Sequence, residues 1–304
     1  MRNTAHHGAR LSSGDRVGRY RVCELHAEGG TSEIYRAHDE HTGELVMLKV
    51  PVVTSSTFAD WLHEEARVLT AISHPNVVGL RGHVQRDGEE ILALEALEGE
   101  DIATLLAREG RQTPSTLLAL LGPLAGALDY LHEQGFVHGD IKPANVVVTQ
   151  DAGPVIVDFG LARSAHGDGS RTQGLLAGTP QYMAPEQVFG LPHEQGPAID
   201  RYALAAMALE ILTGHRPYAS AAIGELLAAM IERSPRMPSQ LGWSGLDTVF
   251  ARALARDPAR RYQTSREFVD ALAEALESAT PSTHPDSLRP LAPTVRATPY
   301  PRAA

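Results

Sequence analysis

The chain has 304 residues, of which 43% are hydrophobic and 21% are charged, and its formal net charge is -10. This length exceeds one average domain and allows a substantial buried core. The acidic balance argues against a protein that binds nucleic acid or an anionic membrane surface. A single cysteine, Cys23, excludes an intrachain disulfide and favours a reducing compartment, so we expect a cytoplasmic protein.

No stretch of the sequence predicts a targeting signal or a membrane span. Residues 1–18 are polar, lack the apolar core of a signal peptide and predict a flexible segment. The most apolar long stretch, residues 117–131, contains Gly122, Pro123 and Asp129. It also falls short of the roughly 20 residues that cross a bilayer, so we expect no membrane span.

Residues 20–97 predict a small strand-rich half with one helix. Gly, Asp and Thr turns separate five strand-like runs, at residues 20–25, 33–37, 45–50, 77–84 and 90–95. Residues 58–72 repeat apolar side chains at helical spacing, and Glu65 falls on the same inward stripe. A buried carboxylate needs a cation, and Lys49 in the apolar run "LVMLKV" needs an anion, so the two residues predict an ion pair.

Beyond Glu98 the sequence predicts a larger, helical half. The stretch "TPSTLLALLGPLAGALDYLHEQG" begins with a Thr-Pro helix start and ends with glycine. The stretch "DRYALAAMALEIL" is apolar nearly all round and predicts a helix buried on every side. We therefore expect one domain over residues 19–277, with halves at about 19–95 and 98–277. Residues 278–304, rich in Pro, Thr and Ser, predict a disordered tail.

The stretch "VHGDIKPANVVVTQDAGPVIVDFG", residues 137–160, predicts a small hairpin with polar acceptors at both of its ends. Two apolar runs, residues 146–148 and 155–157, are joined by a Gly-Pro turn. Asp140 and Asn145 precede the first run, and Asp158 follows the second.

These segments resemble, in order, the motifs of the bacterial serine/threonine protein kinases, and the resemblance covers residues 19–277. The motifs are "AEGGTSEIYRA", "VMLKV", "HEEARVLTAISHPNVV", "HGDIKPAN", "DFG", "GTPQYMAPE", "DRYALA" and "DPARRYQ". One such motif would be weak, but eight in register are specific. The resemblance implies an α+β, two-lobed protein-kinase-like fold. Its N-lobe would be an antiparallel sheet with one helix, and its larger C-lobe mostly helical.

The resemblance also implies a transfer of the γ-phosphoryl group of Mg-ATP, with Mn²⁺ as a substitute metal, to serine or threonine hydroxyls of protein substrates. Such a reaction depends on positioning and on charge neutralisation. Lys49, steered by Glu65, would hold the α- and β-phosphates. Asp140 would orient the hydroxyl and Lys142 would balance charge on the γ-phosphate. The implied metal ligands are Asn145 and Asp158.

The nucleotide would lie between the lobes. The resemblance assigns to it His26, Ala27, Glu28, Gly29, Gly30, Thr31, Ser32, Ile34, Met47, Lys49, Leu94, Glu95, Leu97, Val147 and Asp158. Leu25 or His26, with Ile34 and Met47, would form the ceiling of the adenine slot, and Val147 its floor. Leu94 occupies the gatekeeper position, and the backbone of Glu95 and Leu97 would bind the base.

Two features imply a preference for serine and threonine. Lys142 stands two residues after Asp140, and Thr179 in "GTP" is where such kinases place a threonine near these two residues. Structural roles are implied for Asp200 and for a buried ion pair between Glu186 and Arg261.

The glycine-rich loop departs from the family pattern G-x-G-x-x-G, because its three positions hold Ala27, Gly29 and Ser32. Glycine allows backbone amides to approach phosphate closely and to adopt positive φ. The substitutions therefore predict a looser phosphate clamp. Met47 stands where alanine is usual and predicts a tighter adenine slot.

Gly139 is a second departure, since protein kinases usually carry arginine there. "HGD" is the form seen in small-molecule phosphotransferases such as the aminoglycoside kinases, which gives one alternative function. A nucleotide-binding pseudokinase that acts as a scaffold is another. The segments "GTPQYMAPEQ" and "DRYALA" favour the protein kinase, and the retained lysine and metal-binding residues argue against the scaffold.

The glycine at position 139 also predicts how activity is regulated. The usual arginine pairs with a phosphate on the activation segment, and glycine has no side chain to do so. We therefore expect activity that does not depend on phosphorylation of Ser164, Ser170 or Thr172. In a competing interpretation Arg163 or Arg171 replaces the arginine. Control would otherwise come from a cognate phosphatase or regulator, the tail or the glycine-rich loop.

Overall fold

The computed structural model describes residues 10–52, 56–86, 88–164, 180–189, 196–218, 223–241 and 243–281. The N-lobe is an antiparallel sheet of six strands in the order β1-β2-β3-β4-β6-β5. The strands are β1 (Arg16–Val17), β2 (Tyr20–Glu28), β3 (Ser32–Asp39), β4 (Leu45–Pro51), β5 (Leu80–Arg86) and β6 (Glu89–Glu95). One helix, α1 (Ser56–Ala71), connects β4 to β5 and packs on the sheet.

Strand β4 shows how the sheet separates two apolar clusters. Side chains alternate between the faces of a strand. Val46, Leu48 and Val50 accordingly join a cluster confined to the N-lobe, whereas Met47 joins the main core that includes the inner face of α1. The same alternation directs Lys49 towards the face that α1 covers.

Residues 10–17 pack against the N-lobe, which corrects the expectation of a flexible segment over residues 1–18. Leu11 is buried in the N-lobe cluster. The N–H groups of Arg10 and Leu11 donate to the Glu33 carboxylate and to the Tyr35 hydroxyl, both at 3.1 Å. This contact could not be predicted from the polar sequence, because it depends mainly on backbone N–H groups and on one leucine side chain. Residues 1–9 lie outside the described part of the chain.

The C-lobe is mostly helical, as predicted. Its helices are α2 (Ile102–Glu109), α3 (Pro114–Glu133), α4 (Pro185–Val188), α5 (Ala198–Thr213), α6 (Ile223–Glu232), α7 (Asp247–Ala253) and α8 (Ser265–Ser278). The Thr113 hydroxyl caps α3 by accepting from the N–H of Thr116 at 3.2 Å, and Gly135, with φ of 78°, follows its end. All residues of α5 except Arg201 are buried, which confirms the helix predicted to be covered on every side.

Helix α3 runs through Gly122 and Pro123, which confirms the helix predicted from the Thr-Pro start to the glycine at its end. With 20 residues, α3 is long and apolar enough, by length and composition alone, to cross a membrane, and it is the one such helix among the described residues. Half of its most apolar 18-residue stretch is buried inside the protein, and nine residues of the whole helix are buried. Its contacts with α5 and α8 are those of a core helix.

A three-stranded sheet carries the hairpin at the base of the cleft. It consists of β7 (Gly99–Asp101), β9 (Val146–Thr149) and β10 (Gly153–Ile156), in the order β10-β9-β7. The turn lies at residues 150–152, so the expected Gly-Pro turn instead begins β10. Residues 77–78, expected in the N-lobe strand, pair with Ile156 of this hairpin.

Two short strand pairs complete the C-lobe. β8 (Phe136–Val137) pairs with β11 (Arg163–Ser164), and β12 (Trp243–Ser244) pairs with β13 (Thr280–Pro281). The predicted disordered tail is wrong for residues 278–281, because α8 extends to Ser278 and the strand pair includes Thr280 and Pro281. Residues 282–304 lie outside the described range. The α+β, two-lobed architecture is confirmed.

Candidate active site

The predicted ion pair between Lys49 and Glu65 is confirmed. Lys49 extends from β4 towards α1, where its Nζ lies 2.8 and 2.7 Å from the two carboxylate oxygens of Glu65. The Glu65 side chain is only 1% exposed, and that of Lys49 is 10% exposed. Each charge is thus compensated by the other where water does not reach it.

Lys49 also contacts the C-lobe. Its Nζ lies 2.7 Å from Oδ1 of Asp158, whose side chain is half exposed. Burial lowers the pKa of Lys49, but the charges of Asp158 and Glu65 outweigh burial and raise it above its usual range. The positive charge of Lys49 lowers the pKa of Asp158 well below its usual range. Both groups are therefore charged near neutral pH.

The backbone around Asp158 is fixed in an uncommon conformation. Asp158 has a φ of 61°, a value that residues other than glycine rarely adopt. The fully buried ring of Phe159 packs edge-on against the ring of His138 at 4.7 Å and anchors this turn. A Cβ atom at Gly160 would lie 3.3 Å from Asp158 Oδ1 and 3.5 Å from Lys49 Nζ, so glycine leaves room for the ion pair.

A second polar cluster forms at the catalytic loop of residues 138–145. Lys142 Nζ lies 2.6 Å from Oδ2 of Asp140. Asn145 Nδ2 donates to the backbone oxygen of Asp140 at 2.9 Å and to its Oδ2 at 3.1 Å. The three side chains predicted to act at the reacting groups are therefore brought together.

Asn145 and Asp158 lie at the same end of the hairpin, which corrects the expectation of opposite ends. In an antiparallel pair the start of β9 and the end of β10 are adjacent, and the N–H of Val157 donates to the Asn145 carbonyl at 2.9 Å. Because the Asn145 Nδ2 group faces Asp140, its oxygen is the atom of that amide that could bind a metal.

Carboxylate and amide oxygens are the ligands that Mg²⁺ prefers, with the remaining positions taken by water and phosphate oxygens. Asn145 and Asp158 fit that chemistry. Across the described parts of the chain, no group of three His, Cys, Asp or Glu side chains could hold a metal by itself.

Asp200 holds the start of the catalytic loop. Its buried carboxylate accepts from the N–H groups of His138 at 2.9 Å and Gly139 at 2.8 Å, and it lies 2.9 Å from His132 Nε2. Burial raises the pKa of Asp200, but its hydrogen bonds with His132 and with the Gly139 N–H, and the nearby histidines, together outweigh burial and lower the pKa below its usual value. Burial lowers the pKa of His138, whose Nδ1 accepts from the N–H of Asp140 at 3.2 Å. The sequence suggested a structural role for Asp200 but did not reveal the histidine on α3.

The residues predicted for an adenine slot lie together. Met47, Leu94, Leu97 and Val147 are buried in one apolar cluster, and Ile34 packs against it. Met47 and Leu94 are direct neighbours across β4 and β6.

Of the two residues considered for the ceiling of the slot, Leu25 packs against the apolar cluster confined to the N-lobe and not against the cluster that contains Met47 and Leu94. Burial, followed by the nearby charge of Arg36, lowers the pKa of His26.

The glycine-rich loop is a short turn between β2 and β3. Residues 28–31 are exposed, and the N–H of Gly29 donates to the Ser32 carbonyl at 2.8 Å. Ala27 pairs with Ile34 in the β2–β3 ladder. Neither Gly29 nor Gly30 has a positive φ, so the turn does not use that freedom of glycine.

The predicted buried ion pair between Glu186 and Arg261 is confirmed. The two guanidinium nitrogens of Arg261 lie 2.6 and 2.7 Å from the two carboxylate oxygens of Glu186, and both residues are buried. This bidentate pair fixes α4 to the helical core. Thr179, predicted near the catalytic loop, lies outside the described residues.

These features define a two-lobed protein in which a lysine, two aspartates and an asparagine converge at one cleft. The chain matches the protein kinase domain over residues 20–282 and belongs to the protein kinase family.

Serine/threonine-protein kinase PknD of Mycobacterium tuberculosis is 32% identical over 270 residues, which cover 86% of this chain and 40% of PknD. PknA of the same species is 33% identical over 267 residues, 84% of this chain and 61% of PknA. PknH of Mycobacterium bovis is 33% identical over 285 residues, 91% of this chain and 47% of PknH. The resemblance to bacterial serine/threonine protein kinases is confirmed, and this chain spans between 40% and 61% of the length of these relatives.

Proposed function

We propose that the chain transfers the γ-phosphoryl group of ATP to serine and threonine hydroxyls of proteins. One observation carries the proposal: the Lys49 ammonium contacts both Glu65 and Asp158, so one cation joins α1, β4 and the catalytic cleft. Phosphoryl transfer depends mostly on such positioning and on charge neutralisation.

Asp140 is the residue proposed to accept the hydrogen bond of the acceptor hydroxyl and to take its proton during transfer. Its carboxylate is held by Lys142 and Asn145 at 2.6 and 3.1 Å, which supports a fixed orientation. Lys142, next to that carboxylate, balances negative charge on the γ-phosphate. Lys49 holds the α- and β-phosphates.

Asn145 and Asp158 are the proposed ligands of Mg²⁺, with Mn²⁺ as a substitute. The metal neutralises negative charge on the phosphates when it is bound. Asp158 suits this role because the lowered pKa keeps its half-exposed carboxylate ionised.

The adenine is proposed to lie against Met47, Leu94 and Val147, whose side chains share one buried cluster. The N–H of Glu95 donates to the Gly79 carbonyl at 2.8 Å. Glu95 therefore offers the base its carbonyl oxygen, and Leu97 its N–H group.

The deciding experiment is incubation with labelled Mg-ATP and generic protein substrates, with Asp140→Asn as the control. We expect phosphoserine and phosphothreonine in the wild-type reaction, loss after chelation of the metal and recovery with Mn²⁺. Asp140→Asn should bind ATP but lose most of the rate, because orientation of the hydroxyl acts in the transition state. Phosphotyrosine as the main product would contradict the proposed specificity.

The same experiment separates the alternatives suggested by the sequence. An aminoglycoside acceptor replaces the protein substrate in a second arm, and nucleotide binding without transfer is measured in a third. The family match supports the protein kinase over both alternatives, and the retained Lys49, Asp140 and Asp158 argue against the scaffold.

We also propose that activity does not depend on phosphorylation of the activation segment. Gly139 has no side chain that could pair with a phosphate there. Replacing Ser164, Ser170 and Thr172 together by alanine should change turnover by less than about threefold. Ser164 lies in β11, whereas Ser170, Thr172 and Arg171 lie outside the described residues. A large loss of rate would favour the competing role of Arg163 or Arg171.

A further inference from the structure

Gly139, immediately before Asp140, is held through both ends of its own backbone. Its N–H donates to Asp200 at 2.8 Å. Its carbonyl oxygen accepts from Nε2 of Gln187 at 3.0 Å. The two peptide groups on either side of Gly139, the second of which leads into Asp140, are therefore each held by a side chain, one from α5 and one from α4.

A side chain at position 139 could not take over this task. Gly139 has a φ of 83°, in the region that favours glycine. A Cβ atom there would lie 2.9 Å from Nη1 of Arg163 and 3.1 Å from the Leu161 carbonyl oxygen. Arg163 thus occupies the space beside Gly139, and the loop is positioned through its backbone.

The other end of the Gln187 amide is fixed as well. Its Oε1 accepts from the N–H of Ala184 at 2.9 Å, at the beginning of α4. The two contacts determine which way the amide faces, because one needs an acceptor and the other a donor. The preceding residue, Glu186, is buried and doubly bonded to Arg261, so Gln187 extends from a rigid support.

We propose that Gln187 is a positioning residue for phosphoryl transfer, acting through Gly139 on Asp140. This inference rests on the proposed protein kinase function. Gln187 would connect α4, which follows the activation segment, to the residue that orients the acceptor hydroxyl. The proposed phosphate contact at Lys49 and the proposed metal ligand Asp158 lie outside this link, so its loss should lower kcat and leave KM for ATP unchanged.

The test compares two substitutions with a matched control. Gln187→Glu, measured at about pH 8, keeps an acceptor for the Ala184 N–H but has no donor for Gly139. Gln187→Met removes both contacts at similar volume and adds no charge. Gln112→Glu is the control, because Gln112 Nε2 also donates to a glycine carbonyl, that of Gly110, at 2.9 Å, in the loop between α2 and α3.

Two quantities are measured for each variant: steady-state kinetics, and hydrogen exchange of the amides at residues 138–145 without nucleotide. Both Gln187 variants should lower kcat by about tenfold, with KM for ATP within about twofold of wild type, since a small displacement of a catalytic group has a large effect on rate. Both should also exchange faster over residues 138–145. Gln112→Glu should match the wild type in both measurements.

Wild-type exchange over residues 138–145 in both Gln187 variants would overturn the inference, as would unchanged kcat or an equal loss in Gln112→Glu. A rise in KM for ATP that accounts for the loss would also overturn it. If the wild-type protein transferred no phosphate but the exchange difference persisted, the proposed function would fail while the link from Gln187 to the loop would stand.

Discussion

Lys49 Nζ lies 2.7 Å from Asp158 Oδ1, although the residues are 109 positions apart and belong to different lobes. The same ammonium is held by Glu65 on α1. Displacement of α1 or of the Asp158 turn would therefore change the position of Lys49. The position of the Lys49 ammonium group therefore depends on both lobes.

The first prediction concerns the two partners of Lys49, of which Glu65 is buried and Asp158 is half exposed. Lys49→Met should abolish transfer and also destabilise the fold by about 3–5 kcal/mol, because it leaves the buried Glu65 carboxylate without its cation. Adding Glu65→Gln should recover part of the melting temperature but none of the activity. Asp158→Ala is the control: it should abolish transfer at nearly wild-type stability, since Lys49 and Glu65 remain paired. Equal melting temperatures for Lys49→Met and the wild type would contradict this account.

The second prediction concerns Gly139. Gly139→Ala should lower the melting temperature, because a left-handed conformation costs about 1–2 kcal/mol for a residue with a Cβ atom and the new methyl group meets Arg163. The double variant with Arg163→Ala should lose less than the sum of the two single variants. Strict additivity in thermal denaturation would show that Arg163 does not restrict this position.

Part of this site could be predicted from the sequence, because two costly charges on apolar elements require each other. Lys49 and Glu65 are of that kind, and so are Glu186 and Arg261 once the family resemblance is known. The sequence shows that position 139 holds glycine and not the usual arginine, but it does not show the physical reason. The positive φ and the nearby guanidinium depend on pairing between β8 and β11, and the contact from Gln187 crosses 48 residues. Neither follows from local pattern.

The third prediction concerns the glycine-rich loop. Ala27→Gly with Ser32→Gly should lower KM for ATP, because two backbone amides could approach the phosphates more closely. The melting temperature should fall slightly, since glycine weakens the ladder in which Ala27 pairs with Ile34. An unchanged or higher KM would mean that the exposed turn already presents its amides well.

The fourth prediction concerns alkaline pH. Burial and the hydrogen bond with Glu33 raise the pKa of Tyr35 to about 12 from its ordinary value of about 10. Between these values the unfolded chain loses the tyrosine proton while the folded chain keeps it. This contribution to the free energy of unfolding is fully present below about pH 10 and is lost as pH rises to about 12.

Urea denaturation across this window checks the sign. Tyr35→Phe cannot ionise and should show a shallower decline than the wild type. A slope in Tyr35→Phe equal to that of the wild type would contradict the assignment to Tyr35.

The match to the kinase family begins at residue 20, but Arg10 and Leu11, the first residues that the structure describes, already contact the N-lobe sheet. A chain shortened to the region of homology would lose Leu11 from the apolar cluster and one of the hydrogen bonds to the buried Glu33 carboxylate. Glu33 follows the glycine-rich turn directly and pairs with Val50, the residue after Lys49. Residues that stabilise the N-lobe thus lie before the region of homology. A truncation placed at residue 20 would disturb the strands beside Lys49 and the glycine-rich turn.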